Sequence, residues 1–142
     1  MKLITSKDNS LYKDLKQLAA SSQARRKARR TLLDGVHLCQ VYLQQIGVPF
    51  LVVANESSLQ QPEVASILTA CEAKRAHCIV LPNALYHSLR QVENGVGLLF
   101  VIDTPRTDGP QAITQSAVLL DNLQDPGNLG SILRSAAAAG ID

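Results

Sequence analysis

Tryptophan is absent from the 142-residue sequence, and two Phe and three Tyr supply all of its aromatic rings. Any interior it builds must therefore be aliphatic. No apolar stretch approaches the ~20 residues that a bilayer-spanning helix needs. The opening MKLITSKD also lacks the continuous apolar region of a secretory signal. A cytoplasmic location and no membrane partner are expected. Cysteine is scarce and odd in number: Cys39, Cys71 and Cys78 stand in apolar contexts outside any CxxC pair. A disulfide framework and a zinc site both fit poorly, so buried free thiols and no metal are expected. Neither GxxxxGK[ST] nor GxGxxG occurs, which removes the common phosphate-loop signatures.

What is present is a polarised charge. The net charge is only +2, yet residues 1–30 hold nine Lys/Arg against Asp8 and Asp14. The remainder is acidic. Such a chain offers a basic end to an anionic partner. The densest stretch places Arg25, Arg26, Lys27, Arg29 and Arg30 within six positions. A solvated helix end explains such a run as well as phosphate contact does. If the run is helical throughout, Arg25 and Arg29 share a face, as do Arg26 and Arg30.

Along the chain, Asp8-Asn9-Ser10 offers caps for a helix over 11–21. A strand over 31–34 is broken by Gly35, and a helix over 36–46 is closed by Gly47. Strands follow at 50–54, 77–81 and 96–102, with helices at 62–73 and 82–92 between them. The strands read as continuous apolar runs, so a largely parallel or mixed sheet covered by helices, an α/β sandwich, is predicted. Residues 104–116, with two prolines, a glycine and mostly polar neighbours, read as a linker. The pattern then restarts with a strand at 117–121 and a helix at about 129–139. That gives a domain over 1–103 and the beginning of a second, incomplete one over 117–142.

The loop between these last elements carries the chemistry. Asp125-Pro126-Gly127 suggests a tight turn and Asn128 a helix N-cap. Gly130 and Arg134 are four apart, and helical side chains lean toward the N-terminus, so Arg134 can lie back over Gly130. Its guanidinium then approaches Asn128 and the first-turn amides, a convergence suited to a phosphate or a developing oxyanion. A capped helix with a solvated arginine fits the same residues. His37 at a strand-to-helix turn fits a structural hydrogen bond or a contact with the anionic partner. His77 beside Cys78 reads as core packing, Tyr42 and Tyr86 as helix packing, and Tyr12 as an exposed ring near the basic end.

Asn128-Leu-Gly130-Ser-Ile-Leu-Arg134-Ser-Ala-Ala-Ala-Ala-Gly140, preceded by Asp125-Pro126-Gly127, resembles the first motif of SpoU/TrmH-type RNA methyltransferases. Upstream, Asn9, the Arg-rich stretch, Asp34-Gly35 and Gly95-Val96 resemble the N-terminal substrate-binding domain of that family, similar to L30e-like ribosomal proteins. Asp34, Ser131 and Ser135 depart from the more frequent Glu, Ala and Thr. The resemblance implies an N-terminal L30e-like α/β/α sandwich, then the first strand and helix of a knotted α/β methyltransferase domain. It implies methyl transfer from S-adenosylmethionine to a ribose 2′-hydroxyl of rRNA or tRNA. Asn128 and Arg134 are then catalytic, with Asp125, Gly127 and Gly130 in the active-site loop. Arg25, Arg26, Lys27, Arg29 and Arg30 become RNA-binding residues.

In that family the cofactor site is built from later motifs, so no residue of this chain is assigned to S-adenosylmethionine. The 142 residues alone are expected to be inactive and to bind no cofactor, and the complete enzyme to be a homodimer. The alternative is a non-catalytic L30e-like RNA-binding module. It accounts for the basic end and the α/β pattern, but not for the restarted strand-loop-helix.

Overall fold

The computed structural model describes residues 1–90, 95–105 and 112–141. The chain divides into two compact units, Met1–Pro105 and Arg106–Asp142.

In the first unit, β1 (Lys2–Leu3) precedes two helices, α1 (Ser10–Ala20) and α2 (Ser22–Ala28). Then come β2 (Arg30–Asp34), α3 (Val36–Gln45) and β3 (Leu51–Asn55), followed by α4 (Pro62–Ala73), β4 (Cys78–Leu81), the short α5 (Asn83–Tyr86) and β5 (Leu98–Asp103). The strands form one mixed sheet in the order β1-β4-β3-β5-β2. β1, β4 and β3 run parallel, while β5 is antiparallel to both β3 and β2. The expected helices and strands are found within a residue or two. The exceptions are β1, too short to show a period, α2, where the conformation of the basic run stood open, and the helix expected over 82–92, which stops at Tyr86 as α5; residues 91–94 lie outside the described residues.

Helices cover both faces of the sheet. One face packs Leu51, Val53, Ile79, Leu81, Leu99 and Val101 under α1 and α5. The other packs Val52, Ala54, Leu98, Phe100 and Ile102 under α3 and α4. Alternate side chains of the central strands thus enter opposite cores, which is why these strands read as unbroken apolar runs. Each buried Leu, Ile or Val contributes about 1.5–3 kcal/mol, so the two faces together hold the sandwich without large aromatics. Tyr42 does pack, edge-on to Phe100 with centroids 6.3 Å apart, and Tyr86 is buried.

Two expectations fail here. Tyr12 is buried rather than exposed, and its hydroxyl lies 2.6 Å from Ser88 Oγ. As the inward residue next to the Asn9 cap, it anchors α1 to the segment after α5. His77 is exposed rather than in the core. It stands before β4, where its carbonyl accepts from Val52 N–H at 2.8 Å while the side chain faces out.

β5 enters between β3 and β2 through a tight approach. Gly97 has φ +92°, and a Cβ there would lie 2.9 Å from Asn55 Cβ, so only glycine fits. Ser58 Oγ lies within hydrogen-bonding distance of both Asn55 O, at 2.8 Å, and Gly97 O, at 2.9 Å, and its single proton stitches this corner.

In the second unit, α6 runs over Pro126–Ala138. The strand expected at 117–121 is not formed: no strand occurs among the described residues of this unit. A buried-type strand needs neighbours to take its ladder hydrogen bonds, and none is supplied. Residues 106–111, about half of the expected linker, lie outside the described residues.

Cys39, Cys71 and Cys78 are free and buried, as expected. Burial pushes the Cys39 thiol up from 9.0 to about 12 and the Cys71 thiol to about 11, and raises Cys78 as well. The protonated thiol is the form the folded chain prefers, so this preference is harmless below about pH 8. It costs stability as pH rises through 9 toward the folded values. Ellman's reagent at pH 8 should find all three thiols silent in native chain and all three reactive in urea; a rapidly titrating native thiol would contradict the burial. Separately, Arg25 Nη1 donates to Leu18 O at 2.7 Å and Ala19 O at 3.3 Å, clamping α2 to the end of α1. Arg25→Ala should lower unfolding free energy by about 1 kcal/mol, read as a reduced urea midpoint at unchanged slope.

Candidate RNA interface and active-site loop

The basic run divides into two kinds of residue. The helix α2 stops at Ala28, and Arg29 takes a left-handed conformation with φ +52°. The run is therefore not helical throughout, and the expected pairing of Arg25 with Arg29 and Arg26 with Arg30 does not occur. The break is forced by β2, because Thr104 N–H already claims the Arg29 carbonyl at 2.9 Å. Arg25 is turned inward onto the end of α1. Arg30 begins β2, with its guanidinium carbon 3.2 Å from the Phe50 ring centroid and Nε 3.6 Å from Asp103 Oδ1. Arg26, Lys27 and Arg29 remain exposed. Three cations thus face solvent where the sequence suggested five.

Asp34 is buried at the end of β2, and Gly35 follows with φ +111°. His37 is exposed on the first turn of α3, beside an open hollow shared with Glu63 and Gly95. His87 Nδ1 lies 2.9 Å from Arg90 Nη1. No group of three His, Cys, Asp or Glu residues able to hold a metal occurs among the described residues.

In the second unit the helix begins three residues earlier than the sequence suggested. Asp125, not Asn128, is the N-cap: its Oδ1 accepts from Gly127 N–H at 2.8 Å. Pro126 takes the first helical position, where its missing N–H and fixed φ cost nothing. Asp-Pro-Gly, read as a turn, is equally a cap followed by a favoured first residue. Asn128 consequently sits inside the first turn. Arg134 does lie back over Gly130, where an added Cβ would be 3.5 Å from Nη1. Its Nη2 donates to Ser131 Oγ at 3.2 Å, and Ser131 Oγ donates to Gly127 O at 3.1 Å. No hydrogen bond joins Arg134 to Asn128 among the described residues.

This geometry alters the chemistry expected of the loop. The Asp125 carboxylate occupies the positive end of the helix, so the first-turn amides are a poor anion cradle. Positive charge comes instead from Arg134, one turn along. Ser131 is the residue the sequence undervalued: it differs from the more frequent Ala, and its i, i+3 spacing to Arg134 was the available signal.

No residue of 112–141 whose burial is described is buried, Leu119 and Leu133 included, so those residues bring no buried lining to S-adenosylmethionine.

No family model matches the sequence. An uncharacterized tRNA/rRNA methyltransferase of Synechocystis is 33% identical over 98% of this chain and 50% of its own length. A 23S rRNA guanosine 2′-O-methyltransferase of Bacillus subtilis is 29% identical over 100% of the chain and 53% of its own. The crystal structure of an RNA 2′-O ribose methyltransferase superposes with a TM-score of 0.70, at 27% identity over 97% of this chain and 52% of that one. The AdoMet-bound SpoU methyltransferase AviRb of Streptomyces viridochromogenes, 20% identical over 93% of this chain and 49% of its own, shares the fold with a TM-score of 0.68. The chain spans about half the length of the curated relatives it matches. Along nearly its whole length the chain is thus similar in sequence to RNA methyltransferases, and it shares the fold of solved RNA methyltransferases, SpoU-type enzymes among them.

Proposed function

We propose that the complete protein transfers a methyl group from S-adenosylmethionine to a ribose 2′-hydroxyl of ribosomal or transfer RNA in the cytoplasm. The reading rests on the likeness, along nearly the whole chain, to a curated rRNA 2′-O-methyltransferase. The first unit is an L30e-like RNA-binding sandwich, joined by a linker over 104–116 to the opening of a knotted catalytic domain over 117–142. The cofactor supplies the electrophilic methyl from residues beyond those described, and the complete enzyme acts as a homodimer. A non-catalytic binding module gains no support from relatives named as methyltransferases.

Within this chain, Arg134 orients the ribose-phosphate and stabilises the alkoxide as it forms. Arginine holds its proton too tightly to serve readily as a base, and positioning is the main demand of an in-line displacement. Ser131 holds the guanidinium in place, and Asn128, in the first turn of α6, is the second active-site residue. The RNA is captured upstream by Arg26, Lys27 and Arg29, as phosphate contacts that set register rather than sequence.

In the complete protein, Arg134→Ala should remove most methyl transfer while RNA affinity stays within a few-fold. Arg134→Lys should rescue little, because a point charge lacks the planar fork. Near-normal single-turnover rates in both variants would overturn the assignment. For capture, replacing Arg26, Lys27 and Arg29 together by Ala should flatten the log–log salt dependence of RNA binding by about 2–3 units. Arg30→Ala should leave that slope nearly unchanged; equal slopes for triple variant and parent would reduce the run to a solvated tail.

A further inference from the structure

The crevice between α1 and α2 has a construction that phosphate capture alone does not require. Asp14, Gln17 and Leu18, spaced i, i+3, i+4, present one face of α1; Ala24, Lys27 and Ala28, with the same spacing, present one face of α2. Arg30 closes the end, and the cavity measures about 380 Å³. Ligand sites run from about 300 to 1,000 Å³, so this one holds a single small planar group rather than a duplex.

The chemistry of the walls is divided. Leu18, buried, and the two alanines form an apolar floor, and only small residues on α2 leave the space open. The rim is polar. Asp14 and Gln17 are exposed, and Asp14 has no ion-pair partner within 4 Å among the described residues. Lys27 stands across from them, flanked by exposed Arg26 and Arg29. Arg30 is engaged with Phe50 and Asp103 rather than with Asp14. The crevice itself is set by Arg25, whose bonds to Leu18 O and Ala19 O fix the angle between the helices. A second open hollow, beside Asp34 and Glu63, carries carboxylates without a Lys or Arg in its lining and does not suit a polyanion.

We infer that this crevice takes one unpaired RNA base, guanine, splayed out of its helix. The base lies on the floor of Leu18, Ala24 and Ala28. Its N1–H and N2–H2 donate side by side to the Asp14 carboxylate, and its 5′ and 3′ phosphates fall among Lys27, Arg26 and Arg29. Unpaired nucleotides are the form in which RNA is read in sequence, since base edges in an A-form duplex are hard to reach. Guanine alone among the four bases offers two adjacent donors to one carboxylate. The inference deepens the RNA-capture reading and rests on it.

The test uses the 142-residue chain and three fluorescein-labelled RNA hairpins: one with a single bulged guanosine, one with a bulged uridine, one fully paired. The bulged guanosine should bind about fivefold or more tightly than the other two, a difference expected of one bidentate pair. Ala28→Leu, which fills the floor, and Asp14→Asn, which keeps the shape but loses the paired acceptors, should each abolish that preference without changing the salt slope. Thermal unfolding of both variants checks that the helices persist, and Asp14→Asn decides the matter if Ala28→Leu unfolds. Equal affinity of the parent for all three hairpins, or a preference that survives Asp14→Asn, overturns the crevice while leaving phosphate capture standing. No salt-dependent binding of any hairpin overturns the capture reading as well.

Discussion

The antiparallel insertion of β5 between β3 and β2 is the constraint on which the first unit depends. Among the described residues β2 has no other strand neighbour, so the strand that carries the end of the basic run is attached to the sheet there through β5. That attachment depends in turn on a corner where Gly97, Asn55 and Ser58 pack with no room for a Cβ. More than 70 residues separate Arg30 from its partner Asp103. The edge that carries the end of the basic run therefore cannot form before the last strand of the sandwich is in place. Its stability is that of the whole sheet, not of the local helix pair.

Much of this was legible. Strands buried on both faces announce themselves as apolar runs, and caps such as Asn9 and Pro62 lie at the ends the structure confirms. What escaped was decided at longer range. β1 is two residues long and exists because β4 offers a parallel edge. The strand expected at 117–121 is the converse case, a sequence fit for a strand with no neighbour to pair with. Tyr12 looked exposed because it is polar and near cations, yet the helical phase set by Leu15 and Leu18 turns it inward.

The site shows the same division between local and distant causes. Arg134 leaning over Gly130 follows from helix geometry and was readable. The exact start of α6 was not, because Asp125-Pro126-Gly127 satisfies the rules for a turn and for a cap equally well. The outcome reverses an electrostatic sign: with Asp125 as cap, a carboxylate rather than an open amide nest faces the loop. Likewise, five consecutive-looking cations are identical in a sequence, whereas the fold spends Arg25 and Arg30 on its own packing. Burial and partner, not residue type, separate scaffold from contact.

The strand order also fixes where the chain can be handled. β1 and β2 are the two outermost strands, four strand spacings or about 19 Å apart. The amino terminus, held to Glu72 by a 3.2 Å ion pair, belongs to the edge away from the Arg-rich run. An affinity tag, a surface tether or a fluorophore joined at Met1 therefore sacrifices one exposed ion pair and leaves the basic edge unobstructed. For immobilised or single-molecule measurements the natural attachment point of this unit is its first residue.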